Sequence, residues 1–220
     1  MNLKSVTRLL LASIYTAGCL ALSPAQAALA PMTFQPNPVD LGDLDHHLVY
    51  TWKIDNINLN NISVSGASIT FKNIANWDAN PNMLFVWLLD TAVNPDVATI
   101  QDVDPSQVPV TSIVDAFLSP ISLVANGTAK TKLFQQSFTT TGTDYTYNFT
   151  AAQLTALTNY INNGGDIAFG LDPDCHFFND GITFTMNIVP VPEVASVIPV
   201  ACLIAGATVL EIRRRRRPTA

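Results

Sequence analysis

The sequence predicts a mainly β protein whose central part folds as an antiparallel β-sandwich of the jelly-roll type, with one short helix. Two observations predict this fold. Short segments that alternate apolar and polar residues recur along the chain, and only one segment repeats apolar residues at helical spacing. Many short strands with few helices are typical of sandwiches and jelly rolls. An N-terminal signal helix and a C-terminal transmembrane helix are expected to flank this domain.

Four segments alternate in this way, so that each is expected to bury one face and to expose the other. They are residues 48–54, 67–72, 144–149 and 182–188. Met83–Leu89 is apolar on both faces and is expected inside a sheet, whereas 132–138 and 166–171 have weaker strand patterns. Residues 166–171 and 182–188 are predicted to pair as a hairpin, with the intervening loop at their shared end.

One segment has the pattern of an amphipathic helix. Thr150 and Gln153 have the spacing of a capping box at its start, and an Asn-Asn-Gly-Gly run marks its end. Its apolar stripe consists of Leu154, Leu157, Tyr160 and Ile161. Earlier in the chain, residues 95–109 are expected to form a loop and 111–118 a second short helix.

The first 27 residues have the three parts of a secretory signal peptide. Two basic residues precede an apolar run at 9–22, and Ala25-Gln26-Ala27 fits a cleavage site after residue 27. Cleavage after Ala30 and lipid attachment at Cys19 are the alternatives. The pattern predicts that signal peptidase acts on the chain and that the rest is exported through the inner membrane.

The last part of the chain combines an apolar stretch with a basic terminus. Residues 194–212 are long enough to cross a bilayer as a helix. Five arginines follow directly: Arg213, Arg214, Arg215, Arg216 and Arg217. Because clustered arginine stays on the cytoplasmic side of a membrane, the body is expected to face away from the cytoplasm. A plain single-span anchor, with the body in the periplasm, fits the same pattern.

Residues 191–220 together resemble the PEP-CTERM sorting signal of Gram-negative bacteria, which has a short Val-Pro-Glu-Pro motif, one transmembrane helix and an arginine-rich end. The motif residues are Val191, Pro192 and Glu193, and Val194 stands where proline is usual. The resemblance implies that an exosortase recognises the tail in the inner membrane and removes it. It also implies delivery to the cell surface or the extracellular matrix.

Residues 28–190 form one exported domain with a strongly acidic composition. They hold four lysines and fifteen aspartates, for a formal net charge of −11. Such a surface repels nucleic acid and anionic polymers, and it suits divalent cations or simple solubility. Cys175 is the only cysteine in this range, which excludes an internal disulfide bond.

Two segments of this domain, 43–47 and 170–181, concentrate side chains that can bind metal ions. The candidate ligands are Asp172, Asp174, Asn179, Asp180, His176, Asp45 and His47. The oxygen donors of the second segment suit Ca²⁺, although the segment does not match an EF-hand. Histidine and cysteine with carboxylates suit Zn²⁺ instead. Asp and Asn also bond nearby backbone in turns, so a loop without metal is the alternative.

Strand pairing decides whether the two segments meet. His47 precedes the strand 48–54, and the loop 172–180 follows the strand 166–171. His47 reaches the loop if its strand runs antiparallel to 166–171 or parallel to 182–188. Antiparallel pairing with 182–188 would send His47 to the far end, and the sequence leaves these arrangements open.

These observations favour a non-enzymatic protein of the cell surface or extracellular matrix, with Ca²⁺ in a structural role. A carbohydrate-binding module for extracellular polysaccharide is the first alternative, and Trp77, between two strands, is its candidate exposed aromatic residue. A metal-dependent hydrolase is the second alternative. With no glutamate in the domain, its general base would be Asp or His, and no catalytic residue is predicted.

Overall fold

The computed structural model describes residues 29–102 and 115–191. The predicted signal peptide, transmembrane segment and arginine cluster lie outside the described residues, as do Pro192 and Glu193 of the sorting motif. Val191 is exposed, and its backbone N–H donates to the carbonyl of Asn61 at 2.9 Å. Within the described ranges, no helix is both long and apolar enough to cross a bilayer.

Two five-stranded sheets make up the domain, and every pair of neighbouring strands is antiparallel. The first sheet contains, in spatial order, β1 (Met32–Phe34), β10 (Gly181–Pro190), β3 (Ile62–Asn76) and β7 (Thr143–Asn148), with β9 (Phe177–Phe178) paired to β3. The second contains β5 (Val97–Gln101), β2 (Leu48–Ile54), β8 (Ile167–Pro173), β4 (Met83–Leu89) and β6 (Lys130–Ser137). The predicted mainly β architecture is confirmed, and two antiparallel sheets are consistent with a sandwich.

The main core lies between the facing sides of the two sheets. Phe184 of β10 meets Phe169 of β8 edge to face, with ring centroids 4.8 Å apart. Trp52 of β2 packs on Phe169 at 5.3 Å. Such aromatic pairs add to the stabilisation that burial of their area provides. The alternation predicted for β10 is confirmed, because its apolar residues are buried while Asn187 is exposed.

The second sheet is also covered on its outer face. The prediction that strand 48–54 exposes one face to solvent is therefore wrong. All seven residues of β8 are buried, and in β2 both Val49 and Thr51 are buried. Residues 115–128 lie over this face and begin with a 3-10 helix, Ala116–Leu118. They add a second apolar cluster, which contains Phe117, Val49, Trp87, Leu89, Ala92 and Ala168.

Gly170 allows Phe117 to approach the sheet closely. A Cβ atom at position 170 would lie only 2.4–2.9 Å from three ring carbons of Phe117. Asp115 caps the 3-10 helix by accepting the Phe117 backbone N–H at 3.1 Å. The same carboxylate accepts the indole N–H of Trp87 at 3.0 Å and pairs with Lys132 at 3.0 Å. Residues 115–128 are therefore held on the sheet by the contact of Phe117 with Gly170 and by the bonds that the Asp115 carboxylate makes to Trp87 and Lys132.

The predicted helix is confirmed as α1 (Ala151–Gly164), which connects β7 to β8. Its capping box is present, since Thr150 accepts the Gln153 backbone N–H and the Gln153 side chain accepts the Thr150 N–H. Gly165 ends the helix with φ 74°, the left-handed conformation that glycine adopts without strain. The helix packs against the main core through Leu154, Leu157, Tyr160 and Ile161.

The predicted hairpin between 166–171 and 182–188 is wrong. The two strands, β8 and β10, lie in different sheets, so the segment between them crosses from one sheet to the other. Burial explains the difference. A strand that is apolar on both faces takes a central position, and β8 lies between β2 and β4, whereas β10 alternates and lies between β1 and β3.

The expectation of a loop at 95–109 is wrong in part, because β5 forms the edge of the second sheet against β2. Within the predicted helix 111–118, the described residues contain the 3-10 turn alone. The strands β1 and β9 were not predicted. They have 3 and 2 residues, which is too short to show a period of two.

Gly170→Ala is expected to lower the free energy of unfolding by about 1–3 kcal/mol, because the added methyl group would overlap the Phe117 ring and overpack the outer face. Urea denaturation followed by tryptophan fluorescence measures the change. In a Phe117→Ala background the same substitution should cost clearly less, since the ring is gone. Equal costs in both backgrounds would contradict the proposed overlap.

Candidate cation site at one end of the second sheet

Three parts of the chain meet at one end of the second sheet. Leu48, at the start of β2, lies opposite Gln101 at the end of β5. Tyr50 lies opposite Leu171 near the end of β8. Because β2 is antiparallel to both neighbours, its start lies beside both of their ends. This is one of the two arrangements that bring His47 to the loop after β8.

Hydrogen bonds join the segment before β2 to that loop. Asn179 donates its backbone N–H to Asp43 Oδ1 at 3.1 Å and its side-chain amide to the carbonyl of Asp40 at 2.9 Å. The backbone N–H of Phe177 donates to the carbonyl of Leu44 at 3.3 Å. The two segments that hold the candidate ligands are therefore in direct contact.

Asp172 is a fully buried carboxylate with one unsatisfied oxygen. Its Oδ2 accepts the backbone N–H of Ala116 at 2.7 Å, whereas Oδ1 has no hydrogen-bond partner among the described residues. Burial, with smaller contributions from the negative charges of Asp102, Asp115 and Asp174, raises the pKa of Asp172 to about 7. The hydrogen bond from Ala116 acts in the opposite direction. A buried acid in this state carries a proton or requires a compensating cation.

Asp174 follows two residues later and has the same property. Its Oδ2 is buried and has no hydrogen-bond partner within residues 29–102 and 115–191, and its backbone N–H donates to the carbonyl of Met83 at 2.9 Å. Burial raises the pKa of this carboxyl to about 7 as well, and the charges of Asp102 and Asp115 contribute. Two neighbouring acids thus each present an unpaired oxygen inside the protein.

Two further aspartates contribute charge to this region, and neither was predicted as a ligand. Asp102 directly follows β5, and its backbone N–H donates to the carbonyl of His47 at 2.8 Å. Asp115 is buried, but Lys132 and the Trp87 indole compensate its charge. Asp102 lies outside both ligand-rich segments and follows a strand that was not predicted, so proximity in sequence gave no signal for it.

The segment before β2 places three potential ligands side by side. The ligand atoms of Asp45, His46 and His47 lie within 4.8 Å of one another. A backbone hydrogen bond from His47 lowers the pKa of Asp45. Burial lowers the pKa of His46, and the neighbouring His47 lowers it further. Sequence reasoning included Asp45 and His47 but missed His46.

The other predicted ligands of the loop, Asn179, Asp180 and His176, do not share the unpaired buried oxygens of Asp172 and Asp174. Asn179 uses its amide within the protein, since Oδ1 accepts the N–H of Gly181 at 3.1 Å. Asp180 is exposed, and its backbone N–H donates to the carbonyl of Lys72 at 2.9 Å. His176 packs against aromatic rings. The loop 172–180 therefore contains two buried acids, an Asn179 amide that bonds within the protein, and a histidine that belongs to an aromatic surface.

That surface is an aromatic patch formed by Trp77, His176 and Phe178. The His176 ring lies 4.9 Å from Phe178 and 6.2 Å from Trp77. Trp77 is 65% exposed and Phe178 is 40% exposed. The backbone N–H of Trp77 donates to the carbonyl of His176 at 2.9 Å, which ties the two chain segments together. The predicted exposure of Trp77 is confirmed.

A polar cleft of about 820 Å³ lies at the opposite end of β2 and β8. Its charged groups compensate one another, since Lys53 lies 2.9 Å from Asp166 and 3.3 Å from Asp55. Burial acts to raise the pKa of Asp166, but hydrogen bonds from Thr91 and Lys53, together with the charge of Lys53, lower it. Among its described lining residues, none has a buried polar side-chain atom without a hydrogen-bond partner, unlike Asp172 and Asp174 at the other end.

No protein-family model matches this chain, and no curated protein matches it. Function is therefore inferred from the geometry of the described residues.

The raised pKa values predict how the stability of the metal-free protein depends on pH. Between about pH 4 and pH 7, the folded protein keeps protons on Asp172 and Asp174 that the unfolded chain releases. Their contribution to stability is complete below pH 4 and is lost as the pH rises through 7. We expect the stability of the wild type, relative to an Asp172→Asn, Asp174→Asn variant, to fall across this range.

Urea denaturation in EDTA at several pH values measures this difference. The double variant is the matched reference, because asparagine resembles the protonated acid and does not titrate. A difference that does not change between pH 4 and pH 7 would show that the two carboxyls ionise as freely in the folded state as in the unfolded chain.

Proposed function

We propose that the chain is an exported, non-enzymatic protein of the cell surface or extracellular matrix, built on a jelly-roll sandwich that a bound Ca²⁺ ion stabilises. The observation that carries the cation proposal is the pair of unpaired buried carboxylate oxygens on Asp172 and Asp174. The role is structural, because Asp172 is fully buried and an ion bound to it would be enclosed by the domain.

The order of the strands supports the jelly roll. When the short β5 and β9 are set aside, the first strand pairs with the last, β1 with β10, and the second pairs with the next to last, β2 with β8. The pairs β3 with β7 and β4 with β6 continue the series. A long antiparallel hairpin wrapped into two sheets has this pairing, which is typical of jelly rolls.

Electrostatics and ligand preference support the cation. Ionised Asp172 and Asp174 repel each other and Asp102, and in the described residues neither Asp172 Oδ1 nor Asp174 Oδ2 has a donor. Ca²⁺ binds six to eight oxygen ligands and favours carboxylates. Its charge would offset the desolvation of both acids, which a hydrogen bond from one backbone amide does not.

Export and sorting rest on the terminal segments. The signal peptide at 1–27 would bring the chain to signal peptidase, and the PEP-CTERM-like tail at 191–220 would bring it transiently to an exosortase in the inner membrane. The acidic domain suits a soluble extracellular role, and its formal charge of −11 argues against nucleic-acid partners.

Calcium is expected to raise the melting temperature of the wild-type protein near pH 7.5. Binding at 100 times the dissociation constant stabilises the fold by about 2.7 kcal/mol, or roughly 5–10 °C for a domain of this size. Asp172→Asn should abolish this response while making the metal-free protein more stable, because it removes an uncompensated buried charge. Differential scanning fluorimetry of the full-length chain in mild detergent, with CaCl₂ or EDTA, measures both effects.

Asp180→Asn is the matched control, because Asp180 belongs to the same loop but is exposed. Its calcium response should equal that of the wild type. A wild-type protein that shows no shift with millimolar calcium, or a shift that survives in Asp172→Asn, would refute the structural site.

A carbohydrate-binding role is a second candidate, favoured by the exposed aromatic patch. Trp77 and Phe178 present apolar ring faces to solvent, and such patches are typical of ligand sites. Asp78, Asn80 and Asn82 follow Trp77, and the side-chain amides of Asn80 and Asn82 donate to the Asp78 carboxylate, which orders the turn after Trp77. The acidic surroundings favour a neutral polysaccharide over an anionic one.

Trp77→Ala is expected to weaken binding to a neutral extracellular polysaccharide by roughly 2 kcal/mol, because stacking on the indole would supply much of the contact. Affinity electrophoresis in gels that contain the polysaccharide measures the retardation. Leu118→Ala is the control, since Leu118 is an exposed apolar residue outside the patch. Equal mobility of the wild type with and without every neutral polysaccharide tested would exclude this role.

A further inference from the structure

We infer that Asp45, His46 and His47 form a second metal site, which binds a divalent transition-metal ion of the Zn²⁺ class at the protein surface. The site is separate from the proposed calcium ligands Asp172 and Asp174, and the inference does not depend on calcium binding.

The distances between the three side chains fit coordination of one ion. Asp45 Oδ1 lies 2.9 Å from Nδ1 of His47 and 3.6 Å from Nδ1 of His46. All three ligand atoms lie within 4.8 Å of one another. Around tetrahedral Zn²⁺, with bonds of about 2.0–2.1 Å, ligand atoms are about 3.3 Å apart. The observed distances fall on either side of that value, so small rotations of the side chains suffice.

Hydrogen bonds hold the backbone of the three ligands in a turn before any ion binds. The Leu48 N–H donates to the Asp45 carbonyl at 3.0 Å, which closes a turn with His46 and His47 at its two central positions. The His47 N–H donates to Asp45 Oδ1 at 3.0 Å. The Asp45 N–H donates to the hydroxyl oxygen of Tyr50, a buried residue of β2, at 2.7 Å. Because the turn is anchored to a central strand, little conformational entropy is lost when the ion binds.

His46 has an unsatisfied nitrogen that points to a ligand. Its Nδ1 is buried and has no hydrogen-bond partner in the part of the chain that the structure describes, although the side chain as a whole is partly exposed. The His46 and His47 rings lie with centroids 3.8 Å apart and planes tilted by 39°. A buried polar atom without a partner costs free energy, and a metal ion bound to Nδ1 removes that cost.

The donor set decides the class of ion. Two imidazoles and one carboxylate are typical ligands of Zn²⁺, Cu²⁺ and Ni²⁺, whereas Ca²⁺ requires more oxygen donors. Three protein ligands leave at least one position of a tetrahedral ion open. His47 is about half exposed, at 51%, so water or an external ligand can reach that position.

Zinc titration of the EDTA-treated full-length chain in mild detergent, in competition with a chromophoric zinc indicator, tests the inference. The wild type should bind one equivalent of Zn²⁺. His46→Ala and His47→Ala should each weaken binding at least about tenfold. His176→Gln, which changes the remaining histidine, and Asp172→Asn, which changes the proposed calcium site, should both bind zinc within about twofold of the wild type.

Three results would overturn the assignment: no stoichiometric zinc binding by the wild type, equal loss in His176→Gln, or equal loss in Asp172→Asn. Nitrogen-15 NMR of the histidine rings gives a readout that does not depend on variant stability. Zinc should shift the Nδ1 resonances of His46 and His47 in the wild type and leave those of His176 in place. A zinc-induced shift confined to His176 would also refute the site.

Discussion

The burial of β8 on both faces is the constraint on which the rest of the structure depends. Its inner face packs through Phe169 against the first sheet, and its outer face lies under residues 115–128. A strand buried in this way is not expected at the edge of a sheet, because an edge strand leaves one row of its backbone N–H and C=O groups without a neighbouring strand. It therefore takes the centre of the second sheet, between β2 and β4, and Gly170 allows the outer cover to close.

The same burial creates the electrostatic problem of the candidate site. Asp172 is buried because it belongs to β8. Asp174, just after β8, and Asp102, just after β5, lie close enough to raise its pKa. Asp115 shows how a buried carboxylate is ordinarily compensated, with Lys132 and an indole N–H as partners. Within the described ranges Asp172 accepts a hydrogen bond from one backbone amide alone, so a proton or a cation must compensate its charge. Desolvation, rather than the number of acids in the loop, therefore makes this end of the second sheet chemically distinctive.

Much of the fold could be predicted from the sequence because its long strands and its helix carry local signals. The alternation of residues 182–188 and the capping box at Thr150 and Gln153 depend on neighbours in sequence, and the structure has both. β5 lies within a segment rich in loop-forming residues, and it is a strand because β2 offers an edge. The hairpin prediction was wrong because β8 and β10, although close in sequence, differ in burial. β8 is buried on both faces and lies inside the second sheet, whereas β10 belongs to the first.

For the site, the sequence by itself determined which side chains are available: the acids and histidines of two short segments and an aromatic residue, Trp77, between strands. Only the tertiary structure decided which of them act together. It brought Asp102 in from the end of an unpredicted strand, and a turn anchored by Tyr50 set His46 beside Asp45. It also separated buried Asp172 from exposed Asp180. The physical reason is that desolvation and charge depend on atoms that are close in space, and most of these come from residues distant in sequence.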